Sequence, residues 1–181
     1  RRKLMQQPDW QQEHDMAAAV AKDHFGHPRN YDVGYIFPDR RTCCNAGVHR
    51  HSQAGIVGTP EKGAFSIVVS DKYEDDQDLG YTIIYTGAGK SPSAPIPGGR
   101  DEVTGRQVED QDMERRENAA LKTSHEKGRP IRVIRSLKYG RGYRYDGLYR
   151  VMEAKEVKGK SGYKICQFVL IREGNQPPLP T

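Results

Sequence analysis

The spacing of apolar positions along this chain changes near residue 30. Before that point, "DWQQEHDMAAAVAKDHF" (9–25) sets Trp10, Ala17, Val20, Ala21 and Phe25 near helical spacing, on one face. Asp9 suits an N-cap and Gly26 the position after a helix end, so the pattern predicts a packing helix over 9–25. From "VGYIF" (33–37) onward the runs are short, rich in β-branched and aromatic residues, and cut by Gly, Pro, Asn and Asp. They predict strands at 33–37, 40–44, 53–57, 64–70, 81–86, 131–136, 147–155 and 163–171. One further helix is expected over 110–128, with Met113, Ala120 and Leu121 on its buried face. Many short strands with turns between them indicate a sandwich or barrel. The expected class is therefore α+β, mostly β, with an antiparallel core and two flanking helices.

Two segments fit no regular element. "GAGKSPSAPIPGGRDEVTGRQ" (87–107) holds five glycines and three prolines. A loop of this length in a compact domain is usually functional or disordered. The tail "REGNQPPLPT" reads as an extended exit or linker. No internal repeat is present.

Size and charge narrow the classes. The chain has 181 residues, enough for one domain with short flanks, and 35% hydrophobic positions allow one modest core. No apolar run approaches the roughly 20 residues of a membrane span, and no secretory apolar region is present. The sequence starts at Arg1 rather than Met, so a piece of a larger protein with further domains is expected. Cys43, Cys44 and Cys166 are odd in number and form no C-x-x-C, which points to reduced thiols in an intracellular protein. The formal net charge is +5 and the sequence pI about 9.1. Between Lys127 and Arg150 stand eight basic residues and one acid, Asp146, with Tyr139, Tyr143, Tyr145 and Tyr149 interleaved. Basic residues mixed with aromatics suit a polyanion, most simply nucleic acid, although a strand pair with polar outer faces explains them equally well.

Catalytic and metal signatures are missing. There is no G-x-S-x-G, no P-loop and no zinc deaminase signature, and no cofactor motif. "HRH" (49–51) puts His49 and His51 on one face if extended; two histidines are a weak metal signal, and polar or DNA-contacting roles for His49 and Arg50 fit better. "DKYEDDQDLGYTIIYTG" (71–87) carries Asp71, Glu74, Asp75, Asp76 and Asp78, but not the spacing of an EF-hand. An isolated acidic active site is also unexpected on a basic chain. A non-enzymatic protein is the expectation.

Five blocks together are specific: "GVHRHSQAGIVG" (47–58), "GAFSIVVSDKYEDDQDLGYTIIYTGAG" (63–89), "RPIRVIRSLKY" (129–139), "YRYDGLYRV" (143–151) and "GKSGYKICQFVLIRE" (159–173). Their order and spacing resemble the SRA (SET- and RING-associated) domain, also called YDG after the triplet found here at Tyr145, Asp146 and Gly147. The resemblance covers roughly residues 33–178, leaving 1–32 as a helical N-terminal extension and 179–181 as a tail. It implies a PUA-like, curved, antiparallel, barrel-like sheet with flanking helices. It also implies a reader of 5-methylcytosine in double-stranded DNA that flips the base into a pocket, with 5-hydroxymethylcytosine a second candidate ligand and the nucleus as location. Carried over by motif, Tyr73 and Tyr85 would sandwich the base, Asp76 would bind its polar edge, and Thr86 and Gly87 would lie beside the base and its methyl group. Gln53 falls where the family inserts a side chain into the DNA gap, and Arg106 is the candidate in the second finger. Where the family often has Gly–Gly before the pocket tyrosine, this chain has Asp71-Lys72.

The chemistry agrees with these roles. A carboxylate only accepts hydrogen bonds, cytosine offers an exocyclic amine, and thymine offers a second acceptor. Burying the extra methyl yields only about 0.8 kcal/mol, so preference for it needs a closely shaped pocket. Two alternatives stay open: the DNA-targeting part of a modification-dependent restriction endonuclease, and a fold that has lost DNA binding and serves as a protein-interaction module.

Overall fold

The computed structural model describes residues 25–70, 73–89 and 106–180. The helix expected over 9–25 lies outside the described residues, apart from Phe25. Eight strands form one sheet: β1 (Ile36–Phe37), β2 (Ile56–Thr59), β3 (Gly63–Val69), β4 (Gln77–Asp78), β5 (Thr82–Thr86), β6 (Ile131–Ser136), β7 (Tyr143–Lys158) and β8 (Lys164–Arg172). Their order is β2-β3-β6-β7-β8-β5-β4, with β1 paired to the start of β7. Two helices flank it, α1 (Arg40–Asn45) and α2 (Arg116–Lys127). The sheet is curved and open, and the fold class matches the expectation of a mostly β protein.

Every ladder is antiparallel except β3 with β6, where Ser66 pairs Arg132 and Val69 pairs Arg135 in parallel register. The long connection from β3 to β6, which contains α2, permits that crossover. Alternation along the strands builds two cores. Ile67 and Val69 of β3 join Ile83, Tyr85, Val133, Tyr149, Phe168 and Leu170 on the face covered by Ala120 and Leu121 of α2. Val68 points to the other face, with Phe37, Cys43, Val48, Ile134 and Tyr145.

Several expected boundaries move. The segment 40–44 is helical rather than extended, because Asp39 caps it, accepting Thr42 N–H at 2.7 Å and Thr42 Oγ1–H at 2.8 Å. The helix expected from 110 begins at Arg116, since Gln111 is drawn to β8: its amide donates to Lys164 O and its side-chain oxygen accepts from Cys166 N–H. Gly128, at φ +63°, ends it in the left-handed conformation. Of 33–37 only Ile36–Phe37 is strand, and β7 starts four residues earlier than expected, running through the Tyr145-Asp146-Gly147 triplet. The tail is extended but fastened. Gln176 brackets Leu148, accepting from its N–H and donating to its carbonyl, and Leu179 N–H donates to Tyr81 Oη. Gly147 makes this docking possible, for it sits at φ +96° and a β-carbon there would lie 2.5 Å from Gln176 Oε1.

Candidate nucleic-acid interface

The registers bring the roots of the Gln53 loop and of the Tyr73 segment to one end of the sheet. Val68 N–H donates to Gly55 O, so the 48–55 loop enters β2 at the C-terminal end of β3. The segment carrying Tyr73 leaves from that same end. Ser136 pairs Tyr143, which puts the β6–β7 turn there too, and β1 exits into α1 beside it through the Phe37–Tyr143 pair.

The 48–55 loop is braced from inside. His49 is 1% exposed. Its Nε2 lies 2.7 Å from Ala54 O and its Nδ1 2.7 Å from Ser66 Oγ. A carbonyl only accepts, so Nε2 carries the proton and Nδ1 accepts from the serine. Burial, with Arg40, His51 and Arg132 adding to it, pushes this imidazole down to about 3 against the opposing Ala54 bond. The role expected for His49 at the DNA is therefore corrected: its side chain serves the fold. Arg40 clamps the loop from the other side, donating to His51 O at 3.0 Å and Ala54 O at 2.5 Å while its guanidinium lies over the Tyr143 ring. His51 Nδ1 accepts from the amides of Gln53 and Ala54. What this bracing displays is Gln53, exposed at the tip, with Arg50 exposed beside it.

The acidic stretch divides by partner. Glu74 accepts from Ser161 Oγ at 2.5 Å and Gln107 N–H at 3.1 Å, and these bonds hold it below the usual carboxylate range against desolvation. Asp75 accepts Lys160 N–H at 2.9 Å, tying the same turn to the β7–β8 connection. Asp78 forms a two-toothed pair with Arg135, at 2.6 and 2.8 Å. Arg135 also bonds Asp146, which is fully buried and accepts from Arg144 as well. Two carboxylates thus face two guanidiniums. Burial opposes charge on Arg135, but its partners Asp78, Tyr149 and Asp146 hold it above its ordinary value.

Asp76 has a different neighbour. Its Oδ1 accepts Thr86 N–H at 2.8 Å, while its own N–H donates to Tyr73 O at 3.2 Å. That pair of bonds fastens the Tyr73 turn onto the end of β5, beside Tyr85. Tyr85 is 6% exposed, with its hydroxyl 3.2 Å from both Gly55 O and Val68 O. The ring that would stack on a base is thereby linked to the root of the Gln53 loop. Thr86 is 3% exposed, and its Oγ1 finds no hydrogen-bond partner among the described residues. A buried hydroxyl without a partner costs free energy, which marks the spot as unusual. Gly87, in contrast, spends both backbone groups on the protein: its N–H on Cys166 O and its carbonyl on Gln111 Nε2. Arg106 is exposed and close enough to Glu74 to help hold that carboxylate ionised.

The family model for the SAD/SRA domain matches residues 24–176. This chain belongs to the SAD/SRA family. A UHRF1-like protein of Cryptococcus neoformans is 38% identical over 164 residues, covering 86% of this chain and 48% of that protein. A modification dependent TagI restriction endonuclease superposes with TM-score 0.73 at 40% identity, over 85% of this chain and 54% of that one. The SUVH5 SRA domain bound to fully hydroxymethylated CG DNA superposes with TM-score 0.71 at 36% identity, over 87% of this chain and 99% of that one. That domain has also been solved with hemi methylated CG DNA. The chain spans about half the length of the fungal relative and of the endonuclease, so what it matches there is the SRA part.

Within the SRA fold, three supporting residues had no local sequence signal. Asn118 of α2 brackets Ala88, accepting its N–H at 2.7 Å and donating to its carbonyl at 3.0 Å. Gln111 does the same work between Gly87 and Cys166. Arg40 is the third. Each is a polar side chain standing in for a ladder where a strand has ended. Most of the 127–150 basic span is likewise structural: Arg129 donates to Lys62 O, Arg132 is 3% exposed and donates to Gly26 O, and Arg150 donates to Gly128 O.

Proposed function

We propose that this domain binds double-stranded DNA carrying 5-methylcytosine, and also 5-hydroxymethylcytosine, by taking the flipped base between Tyr73 and Tyr85 against Asp76. The observation that supports this reading is the Asp76–Thr86 bond, which holds a carboxylate at Thr86, the end of β5, one residue along the chain from Tyr85. Extrusion costs a few kcal/mol, and stacking restores about 1–3 kcal/mol per base. A carboxylate has about four acceptor sites, so one bond to Thr86 still leaves capacity for a cytosine amine. Gln53, held out on a braced loop, is suited to fill the space the base vacates. The domain itself is a reader without chemistry of its own, acting on chromatin in the nucleus as part of a longer protein.

The test is binding to matched duplexes bearing cytosine, 5-methylcytosine or 5-hydroxymethylcytosine at one position, for wild type and Asp76→Ala. Tighter binding of a modified duplex by wild type, weakened on the order of tenfold or more in the variant, is expected from the loss of a hydrogen bond to a charged group. Equal affinity for all three duplexes, unchanged by the substitution, would sink the pocket. The likeness to TagI favours a second reading, in which the domain directs a nuclease located elsewhere in its chain. Incubating the full-length protein with methylated plasmid and a divalent metal separates the two, since only the second predicts cleavage.

A further inference from the structure

We propose that the β6–β7 turn, Lys138–Tyr139–Gly140–Arg141, is an additional clasp on the duplex that grips the phosphate backbone beside the Gln53 loop. The proposal rests on the DNA-binding reading above and adds a contact that neither the pocket nor the two expected fingers includes.

Placement comes from register. β3 and β6 run parallel with Val69 opposite Arg135, so the segment that carries Tyr73 and the turn after Ser136 leave adjacent strand ends in the same direction. Neighbouring strands lie about 4.8 Å apart, which sets the roots of these segments side by side. Leu137 N–H donates to Gly142 O and closes the turn at that edge. Arg40 ties the two sides together, holding the carbonyls of the Gln53 loop while lying over Tyr143, the first residue of β7.

Charge and exposure then single out the turn. Of the basic residues between 127 and 150, Arg135 and Arg144 are consumed by Asp78 and Asp146. Lys127, Arg129, Arg132 and Arg150 donate to carbonyls elsewhere in the fold. Lys138 and Arg141 are exposed and, among the described residues, have no ion pair; the Arg141 guanidinium and amide both donate to Lys138 O, inside the turn. Two unneutralised cations at a strand end complement a polyanion.

Tyr139 is the second, independent sign. It is 93% exposed, the most exposed large hydrophobic side chain among the described residues, and it stands at φ +60°. A tyrosine in the left-handed region is unusual, and glycine, which stands at positive φ at both 140 and 142, would fit there without strain. The fold gains nothing from this ring, since it packs on nothing. An aromatic hydroxyl held between two cations at the tip of a turn is the arrangement that meets a sugar–phosphate strand.

The test uses a short labelled duplex with one 5-methylcytosine, titrated at several salt concentrations. Lys138→Gln combined with Arg141→Gln is expected to flatten the dependence of log affinity on log salt by about two, one for each phosphate contact, and to weaken low-salt binding on the order of tenfold. The ratio between modified and unmodified duplexes should stay at the wild-type value. Tyr139→Gly is expected to keep or raise the thermal midpoint while weakening DNA binding, a split that a purely structural role cannot produce. An unchanged slope and affinity in the double variant overturns the proposal. So does a collapsed modified-to-unmodified ratio, which would locate the effect in the pocket. The two readings fail separately: a wild type indifferent to the modified base sinks the pocket, while the salt slope still reports on the turn.

Discussion

Asp76 Oδ1 accepts the Thr86 amide at 2.8 Å, so removing the carboxylate has a structural cost besides any effect on a bound base. Thr86 is 3% exposed, and an orphaned amide there costs about 1–3 kcal/mol. Asp76→Ala therefore mixes two losses. Asp76→Asn separates them, because its amide oxygen can still accept from Thr86 while its NH2 confronts the cytosine amine with another donor. The expected result is stability within about 0.5 kcal/mol of wild type by urea denaturation, with modified-cytosine affinity reduced on the order of tenfold. If asparagine binds as tightly as aspartate, the carboxylate is not the group that reads the base. The neighbouring acids need no such experiment to explain them: Glu74, Asp75 and Asp78 are each committed to Ser161, Lys160 and Arg135.

At the scale of elements, α2 matters less for its apolar face than for one polar residue. Asn118 satisfies Ala88 N–H, Ala88 O and Asp112 O together, at the point where the chain leaves β5 for the 87–107 loop. Asn118→Ala orphans these groups and is expected to lower stability by about 2–4 kcal/mol, read as a shift of the urea midpoint with an unchanged slope. Asn118→Asp keeps the acceptor for Ala88 N–H but sets a carboxylate oxygen against the Ala88 and Asp112 carbonyls in a fully buried place, and should cost at least as much. This kind of support is invisible in a linear pattern, whereas runs dominated by packing were legible: β6 occupies 131–136 as its Ile and Val spacing predicts. The failures are instructive in the same terms. The β-branched and cysteine content of 40–44 suggests a strand, but Asp39 placed before Thr42 is a cap, and the cap decides. The first turn of β7 was missed because Tyr143–Gly147 carries charge and glycine, which are extended only because Asp146 lies in a buried ion cluster. The pocket residues Tyr73, Asp76 and Tyr85 are named by motif resemblance alone; His49 was misassigned because alternation cannot tell a buried imidazole from an exposed one.

Across the whole molecule, the ladder leaves β4 and β2 at opposite ends of the sheet, and side chains do the closing. Asp78 of β4 reaches Arg135 of β6, and the Tyr85 hydroxyl of β5 reaches Val68 O of β3. His49 belongs to this set, since it joins the Gln53 loop to Ser66 of β3. Its buried imidazole titrates near 3 in the folded state against an ordinary 6.5, so between those values the unfolded chain binds a proton that the folded one does not. A lowered folded value means that stability is fully present above pH 6.5 and is lost as pH falls towards 3. The slope is at most about 1.4 kcal/mol per pH unit. His27 is also held below its ordinary value, chiefly by desolvation, but it is exposed and adds a smaller effect of the same sign. Urea denaturation at pH 7.5, 6.0 and 5.0 should show stability falling with pH, and His49→Gln should be less stable at pH 7.5 yet lose less on acidification. Parallel pH slopes for wild type and His49→Gln would place the acid sensitivity elsewhere.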